Sequence, residues 1–332
     1  MPTTSGVRPS HQRTVAATGA GSMRLAILGA SSHIAKDLIA SIPSTTYQCT
    51  LFVRASSTLD AELQETAARK GFAVVTYDSF DDSDQFDAII NFVGVGDPAR
   101  ALQMGQAIFT VTEHYDNFAL AYLRSHPECK YIYLSSGAAY GSNFAAPVTE
   151  TSTAVFPINA LLPQHWYGAA KFQTECRHRA LPDAAIVDVR VFSYFSHRQA
   201  REARFFLSDI LRALHAGTVL EVAPDDMLRD YLTPADFMQL IDRILQAPAC
   251  NSAVDCYSLA PVGKFELLAA LGEQFGLNFT IVGEQSQVNA TGQKAHYYSY
   301  NRKAEQLFGY VPTDSSLSGV MHEIRQALHA ED

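Results

Sequence analysis

The stretch LAILGASSHIAKDL, residues 25–38, begins as a short apolar run and continues directly into a helix-like amphipathic run. Of the three glycines of a nucleotide-binding turn, only Gly29 is present, and Ser32 and Ala35 stand at the second and third positions. Gly29 allows the tight turn, and Ala35 is small enough for the helix to pack closely on the strand. Ser32 can cap the helix and offer its hydroxyl and N–H to a phosphate. Taken alone, the stretch leaves open whether this turn binds a nucleotide or only joins a strand to a helix.

Outward from this stretch, apolar strand-like runs alternate with amphipathic helix-like runs. The strand-like runs are RLAILG, CTLFVR, AVVTY, DAIINFVG, KYIYLSS and AIVDVRVFSYF. This βαβ alternation predicts an α/β fold with a Rossmann-type doubly wound parallel sheet, whose ligand site lies beyond the carboxyl ends of the strands.

The rhythm changes near Ser196, which predicts a division of the chain into two parts. We expect residues 23–195 to form the dinucleotide-binding domain, with a return to it around 232–260. Residues 196–231 and 261–332 are expected to form a smaller C-terminal α/β substrate-binding lid. Residues 1–22 are rich in Ser, Thr, Gly and Ala without the apolar core of a secretory signal, and are expected to be a disordered tail.

The amino-acid composition argues against several classes of binding partner. The 332 residues carry a formal net charge of -9 and no Lys/Arg-rich run, which argues against nucleic acid or an anionic membrane surface as partner. No apolar stretch reaches the roughly 18 residues needed to span a membrane. The five cysteines are scattered without a C-x-x-C pair, which favours the reducing cytoplasm. The histidines show no metal-ligand spacing, so no metal is expected.

The end of the second strand-like run bears on the choice of cofactor. At this position a Rossmann site for NAD usually has an Asp or Glu that binds the ribose 2′-OH, whereas an Arg accommodates the 2′-phosphate of NADP. Here the run ends in Arg54, followed by Ser56 and Ser57, which favours NADP. The alternative is that Arg54 is a solvated strand-end charge and that Asp60 binds the ribose of NAD.

A tyrosine and a lysine four residues apart occur in YGAAK, residues 167–171. On a helix, Tyr167 and Lys171 share one face, so the ammonium can lie near the phenol. A nearby cation, together with an oxidised nicotinamide ring, would lower the pKa of the phenol from its ordinary value near 10 and make it a usable acid and base. The spacing alone is common on helix surfaces, but here it follows an apolar strand that ends in paired serines.

Together, several motifs in order resemble the extended short-chain dehydrogenase/reductases, which include nucleotide-sugar epimerases, dehydratases and reductases. The motifs are GASSHIA (29–35), NFVGVG (91–96), SSGAAYG (135–141), YGAAK (167–171), VRVFSYF (189–195) and RDYLTPADF (229–237). The resemblance extends from Met23 to about Leu328 and implies an NAD(P)-dependent enzyme that is usually a homodimer.

The resemblance also implies roles for individual residues. Ser136 would hydrogen-bond the substrate oxygen, Tyr167 would move the proton, and Lys171 would hold the phenol and the nicotinamide ribose. The remaining cofactor contacts would come from Gly29, Ser31, Ser32, His33, Ile34, Arg54, Asp78, Ser79, Phe92, Val93 and Gly94.

Substrate contacts are implied for Ser136, Ser193, Arg204 and Arg229. Arg229 would bind the diphosphate of a nucleotide sugar, although a structural salt bridge to Asp230 or Asp236 is an open alternative. The arginines at 198, 201 and 204 could add charge to this pocket or be solvated. Ser193 replaces an Asn that contacts phosphates in many members of the family.

Departures from the family pattern reduce the number of reactions that the resemblance allows. Gly137 and Ala138 occupy the positions where dehydratases, decarboxylases and epimerase-reductases carry additional acid, base or cysteine groups. Simple hydride transfer remains. The sequence favours an NADPH-dependent reductase of a 4-keto nucleotide sugar, for example in polysaccharide biosynthesis. An NAD-dependent 4-epimerase and a non-enzymatic NADP sensor remain as alternatives.

Overall fold

The computed structural model describes residues 22–55, 60–95, 101, 103–200, 202–203, 205–283 and 294–329. Apart from Ser22, the predicted tail lies outside the described residues, and so do Ser56, Ser57, Arg201 and Arg204.

Strands and helices alternate through most of the chain. The strands are β1 (Met23–Leu28), β2 (Tyr47–Val53), β3 (Ala73–Thr76), β4 (Ala88–Asn91), β5 (Lys130–Ser136), β6 (Ile186–Val191), β7 (Ser193–Tyr194), β8 (Leu220–Val222), β9 (Leu228–Arg229), β10 (Tyr231–Leu232), β11 (Ser252–Asp255), β12 (Val262–Gly263), β13 (Phe279–Ile281) and β14 (His296–Tyr297). The α-helices with defined bounds are α1 (His33–Ser41), α2 (Ala61–Lys70), α3 (Ala107–Ser125), α4 (Pro163–Arg179), α5 (Phe206–Ala216), α6 (Pro234–Gln246), α7 (Lys264–Phe275), α8 (Lys303–Phe308) and α9 (Ser316–His329). Short 3-10 helices span Tyr77–Ser79, Gly137–Tyr140 and Ile158–Ala160.

Seven strands form the central sheet in the order β3-β2-β1-β4-β5-β6-β11, and every neighbouring pair is parallel. Residues 25–28 of β1 are fully buried, as expected for a central strand that is covered on both faces. The strand order reverses between β1 and β4, which places the ligand crevice at their carboxyl ends. The predicted Rossmann-type α/β fold is confirmed.

A second apolar core lies in the C-terminal part of the chain. It is built from the apolar faces of α5, α7 and α9, with residues such as Leu211, Leu268 and Ile324 at its centre. Three small sheets accompany it, in the orders β10-β7, β12-β9-β14 and β13-β8. β9 and β14 lie beside each other, and the phenol oxygen of Tyr297 on β14 comes within 3.3 Å of the hydroxyl of Ser136 at the carboxyl end of β5.

No helix in the described part of the chain is long and apolar enough to cross a membrane. In the same residues, no group of three or more His, Cys, Asp and Glu side chains could hold a metal ion.

Candidate active site

Ser136 is the last residue of β5 and is buried. Its Oγ accepts a hydrogen bond from the backbone N–H of Ala138 at 3.2 Å and so caps the 3-10 helix that follows. The same oxygen lies 3.3 Å from the phenol oxygen of Tyr297 on β14. The serine is therefore held from both sides at the carboxyl edge of the sheet.

Tyr167 reaches this serine from α4. A glycine follows the tyrosine, and a Cβ added to Gly168 would lie 2.4 Å from the carbonyl oxygen of Ala138. Only glycine lets the helix approach the 3-10 turn this closely. Burial raises the pKa of Tyr167, and a hydrogen bond with Ser136 lowers it in part. The predicted Ser–Tyr pair is therefore brought together by the fold.

Lys171 is buried one turn further along α4. Its ammonium donates hydrogen bonds to the Tyr133 phenol at 3.0 Å and to the Leu134 carbonyl at 2.6 Å, and it lies 5.9 Å from the centroid of the Tyr167 ring. Burial lowers its pKa to about 8, against the opposing charge of Glu175.

The pKa of Tyr167 is raised in the structure, and the lowering expected from Lys171 together with an oxidised nicotinamide ring stays a prediction. Lys171 donates its hydrogen bonds to Tyr133 and Leu134 rather than to Tyr167. Burial of the Tyr167 phenol is therefore the largest effect on its pKa.

A buried ion-pair group supports the end of β5. Ser135 donates to Glu175 at 2.5 Å, and the Nε of Arg190 contacts both oxygens of that carboxylate at 3.0 Å. Arg190 also contacts Asp255 at 3.3 Å, which in turn accepts from Ser299. The contacts join β5, α4, β6 and β11, and sequence reasoning did not identify any of these residues.

The glycine turn lies at the carboxyl end of β1. Gly29 has φ +72°, and an added Cβ would come within 3.0 Å of the backbone of Phe92 and Val93. The N–H of Ser32 donates to the Gly29 carbonyl at 2.9 Å, and its side chain does not cap α1. Ser32 thus occupies the N-cap position as expected, but without a capping hydrogen bond from its side chain, and its N–H closes the tight turn.

The hydroxyl of Ser32 is nevertheless buried and has no hydrogen-bond partner. An orphaned hydroxyl in a turn at a helix N-terminus suits a phosphate oxygen. Ser31 is exposed in the same turn, and Ile34 packs on the main core. These residues fit the pyrophosphate of a dinucleotide.

The segments expected to contact the cofactor meet around this turn. The Gly29 N–H donates to the phenol oxygen of Tyr77 at 2.8 Å, and the exposed residues Asp78 and Ser79 follow that tyrosine at the end of β3. After β4, a Cβ added to Gly94 would lie 3.3 Å from the Lys171 ammonium. The crevice therefore runs from the turn to Lys171.

Arg54 directly follows β2 and is exposed. Asp60 is the residue that would bind the ribose of NAD in the alternative interpretation, but both of its carboxylate oxygens are engaged. One lies 2.6 Å from the Lys36 ammonium, and the other accepts a hydrogen bond from the Glu62 N–H at 3.0 Å. Asp60 thus caps α2 and neutralises Lys36.

The His33 side chain is half-buried and contacts the segment that follows β7. Its Nε2 lies 3.2 Å from the Ser196 hydroxyl and 3.7 Å from Asp37, and its ring meets that of Tyr194 edge-on. Burial lowers its pKa, and the charge of Asp37 raises it in part. The histidine joins the glycine turn to the segment after β7.

Arg198 does not add charge to the Arg229 pocket. It lies 3.3 Å from Asp37 and 2.8 Å from Glu62, because its position after β7 places it over α1 and α2.

Arg229 lies on β9 and is paired with Tyr297 of β14. Its Nη1 donates to the carbonyls of Leu228 and Lys294. The alternative salt bridges to its acidic neighbours do not form. Those acids accept hydrogen bonds elsewhere, Asp230 from Ser258 and Ser316, and Asp236 from Thr313 and Asp314. Arg229 thus keeps its charge available, although burial lowers its pKa.

Ser193 lies on β7 opposite Tyr231, partly buried. Arg204 lies outside the described residues.

Three contacts of the site were not found from the sequence: Tyr133 on the lysine, Tyr297 on the serine, and Lys294 beside Arg229. The aromatic run HYYSY, residues 296–300, is the one local signal for the second of them.

The model of the NAD dependent epimerase/dehydratase family matches residues 25–260. The chain belongs to this family. The resemblance inferred from the motifs is thereby confirmed at the level of this family of enzymes.

Solved structures of the family share the fold at low identity. UDP-glucuronic acid 4-epimerase from Bacillus cereus, in complex with UDP-glucuronic acid and NAD, is 15% identical with a TM-score of 0.74, covering 93% of this chain and 100% of that chain. UDP-glucose 4-epimerase from Bifidobacterium longum, with NAD+ and UDP, is 17% identical with a TM-score of 0.72 over 93% and 98%. The dTDP-glucose 4,6-dehydratase from Bacillus anthracis, with NAD, is 13% identical with a TM-score of 0.74 over 93% and 98%. Comparison with curated proteins found no match.

Proposed function

We propose that the protein is a cytoplasmic, homodimeric NADPH-dependent reductase that acts on the 4-keto group of a nucleotide sugar, in a route such as polysaccharide biosynthesis. The observation that carries the proposal is the convergence of Ser136, Tyr167 and Lys171 at the carboxyl edge of the sheet, with the lysine beside Gly94 of the cofactor crevice.

The dinucleotide would be held by the turn around Gly29 and Ser32 and by the segment Phe92–Gly94. When bound, its reduced nicotinamide supplies the hydride. Ser136 then donates a hydrogen bond to the keto oxygen and orients it toward the phenol of Tyr167. As the carbonyl is reduced, Tyr167 would deliver its proton to the carbonyl oxygen, and solvent would reprotonate the phenolate that remains.

Lys171 would act on the phenol of Tyr167 through its charge, since its ammonium lies 5.9 Å from the centroid of that ring. Its ammonium is fixed by Tyr133 and Leu134 at the base of the crevice. From there its charge stabilises the phenolate that forms at Tyr167 during the transfer, since opposite charges interact strongly in a buried site.

The choice of NADP rests on Arg54. The exposed guanidinium follows β2 where the 2′-phosphate would lie, and the nearby acid Asp60 is committed to Lys36. On the substrate side, Arg229 is proposed to bind the diphosphate, and Ser193 and Arg204 to complete the substrate contacts.

An NAD-dependent 4-epimerase is the second candidate. The motif SSGAAYG resembles that of UDP-glucose 4-epimerase, and structures of similar fold hold NAD. The same serine and tyrosine would then serve both the oxidation of a hydroxyl and the return of the hydride to the other face. A sensor without activity is disfavoured because Ser136, Tyr167 and Lys171 are all present.

The test is a panel of UDP-, GDP-, CDP- and dTDP-sugars and their 4-keto forms, followed by the absorbance of the reduced nicotinamide with NADPH and with NADH. Net oxidation of NADPH by a keto sugar supports the reductase. Interconversion of sugars without net change of cofactor selects the epimerase instead. Tight cofactor binding without turnover of any sugar would favour the non-enzymatic NADP sensor. Tyr167→Phe serves as the inactive control, and Tyr300→Phe, on an exposed tyrosine, as the matched active one.

A further inference from the structure

Residues 194–198 form a short segment, called here the connecting segment, that begins with the last residue of β7. Two of its side chains contact α1, the helix that follows the glycine turn. The fully buried Ser196 has its hydroxyl 3.2 Å from Nε2 of His33. The phenol of Tyr194 donates a hydrogen bond to the buried carboxylate of Asp37 at 2.9 Å. One side of the connecting segment is therefore held by the part of the chain that carries the glycine turn.

The residues between them contact the C-terminal part of the chain instead. Phe195 belongs to the second apolar core, and its N–H donates to the carbonyl of Leu232 on β10 at 3.1 Å. The backbone nitrogen and the Nδ1 of His197 both lie 2.8 Å from a carboxylate oxygen of Glu323 on α9. Successive side chains of an extended chain point to opposite sides, which explains the alternation. The connecting segment is thus held by both parts of the chain.

His33 is the residue through which this segment contacts the glycine turn. It is the first residue of α1 and directly follows Ser32, whose buried hydroxyl has no hydrogen-bond partner and suits a phosphate oxygen. A group bound at Ser32 therefore lies one residue away from a side chain that contacts the connecting segment.

We propose that His33 is a positioning residue that links the two binding sites. It holds the connecting segment against the occupied glycine turn, so that the dinucleotide and the nucleotide part of the substrate each bind more tightly when the other is present. The places of the two ligands rest on the proposed function. The link is reciprocal, because a coupling free energy between two ligands changes both affinities by the same factor.

The charges around His33 agree with the direction of this link. Burial lowers the pKa of His33, and the carboxylate of Asp37 raises it in part. Three basic residues on α1 and on the connecting segment also lower it, namely Lys36, Arg198 and His197. A pyrophosphate at the glycine turn would add negative charge beside the ring and raise this pKa. The protonated ring would then interact more strongly with Asp37, 3.7 Å away, which also binds the connecting segment.

The first experiment measures the coupling factor in the full-length protein. Isothermal titration calorimetry gives the affinity for UDP, GDP, CDP or dTDP, whichever binds most tightly, with and without a saturating reduced dinucleotide, NADPH or NADH. Wild type should bind the nucleoside diphosphate about 5- to 50-fold more tightly when the dinucleotide is present. In His33→Phe, which keeps an aromatic ring but loses its hydrogen bond and its charge, the ratio should fall to within about twofold of one.

A second variant tests the same contact from the other side. Ser196→Ala removes the hydroxyl that lies near the His33 ring and should lower the ratio as His33→Phe does. His322→Phe is the matched control, because this exposed histidine precedes Glu323 on α9, and it should keep the wild-type ratio. A histidine that only stabilises the fold would change thermal unfolding without changing the ratio. A ratio of one in wild type, or wild-type ratios in both His33→Phe and Ser196→Ala, would overturn the proposal.

Hydrogen exchange followed by mass spectrometry tests the link without a substrate nucleotide. Binding of the dinucleotide should slow the exchange of the backbone amides of residues 195–199 in wild type but not in His33→Phe. Absence of slowing in wild type, or equal slowing in both proteins, would overturn the proposal. Neither assay depends on turnover. An inactive protein that keeps the coupling would refute the proposed reaction and leave the link standing, whereas an active enzyme without coupling would refute the link alone.

Discussion

Replacement of Gly168 by alanine should disable the site through packing alone. The added Cβ would lie 2.4 Å from the Ala138 carbonyl oxygen and 3.4 Å from the Phe156 ring. To reach a tolerable separation, α4 and the 3-10 turn must move apart by roughly 0.6 to 1.0 Å. That movement draws Tyr167 away from Ser136, because Tyr167 directly precedes Gly168 and Ser136 lies two residues before Ala138.

Two effects of this substitution have opposite signs. In an ordinary helix, glycine to alanine stabilises by about 0.5–1 kcal/mol. Overpacking against a backbone carbonyl costs about 1–3 kcal/mol. We therefore expect the free energy of unfolding to fall by about 1–2 kcal/mol, and kcat to fall by about 100-fold, the order expected when reacting groups are displaced by about 1 Å.

The assay combines urea denaturation with steady-state kinetics on whichever sugar the substrate panel identifies. Ala169→Gly is the matched control, since it weakens the same helix by about 1 kcal/mol without approaching the turn. It should be destabilised to a similar degree and keep its kcat. A Gly168→Ala protein that is more stable than wild type, or as active, would refute the close approach of α4 to the turn.

Three further predictions concern single side chains. Tyr167→Phe should lower kcat by about 100- to 10,000-fold through loss of the proton donor, with cofactor affinity in fluorescence titrations unchanged; a fully active variant would remove the tyrosine from the mechanism. Arg54→Asp should weaken NADPH binding by about 10- to 100-fold and improve NADH binding, because a carboxylate binds the ribose 2′-OH of NADH but repels the 2′-phosphate of NADPH. If the ratio of the KM for NADPH to the KM for NADH does not change, Arg54 does not contact the cofactor. Burial lowers the pKa of His178, but its hydrogen bonds to Asp116 and Asp188 outweigh this and raise it to about 9. The stability that His178 supplies should therefore be complete below about pH 6.5, its unfolded value, and be lost as pH rises through about 9, a change of about 3 kcal/mol in chemical denaturation. His178→Gln should flatten that pH dependence, and an equal slope in both proteins would contradict it.

The sequence was sufficient for the fold of the N-terminal part because the signals there are local. The apolar run Leu25–Leu28 is a buried central strand, and its neighbours begin and end within a few residues of the predicted bounds. Helix α4 begins at Pro163, and a proline at the first helical position is a local signal for such a start. The two-residue strands of the C-terminal sheets could not be predicted, because β9 and β14 pair across a long separation and neither run forms a strand alone.

The pair Tyr167 and Lys171 could be predicted from its spacing and Ser136 from the family resemblance, while the surroundings of these three residues could not. Helical periodicity places Tyr167 and Lys171 on one face, but the acceptors Tyr133 and Leu134 come from a strand whose register with α4 is set by tertiary packing. Tyr297 is 161 residues from Ser136 in the chain, so no local pattern connects them. The raised pKa of Tyr167 likewise depends on burial that only the assembled fold reveals.

The contact between Ser136 and Tyr297 has a consequence for affinity. A sugar oxygen that bonds to Ser136 exchanges places with a phenol that is already there, so this step swaps one hydrogen bond for another and contributes little net binding. Tight association must then come from the far end of the ligand, and a free monosaccharide should be a poor substrate even when its reacting carbon has the correct configuration.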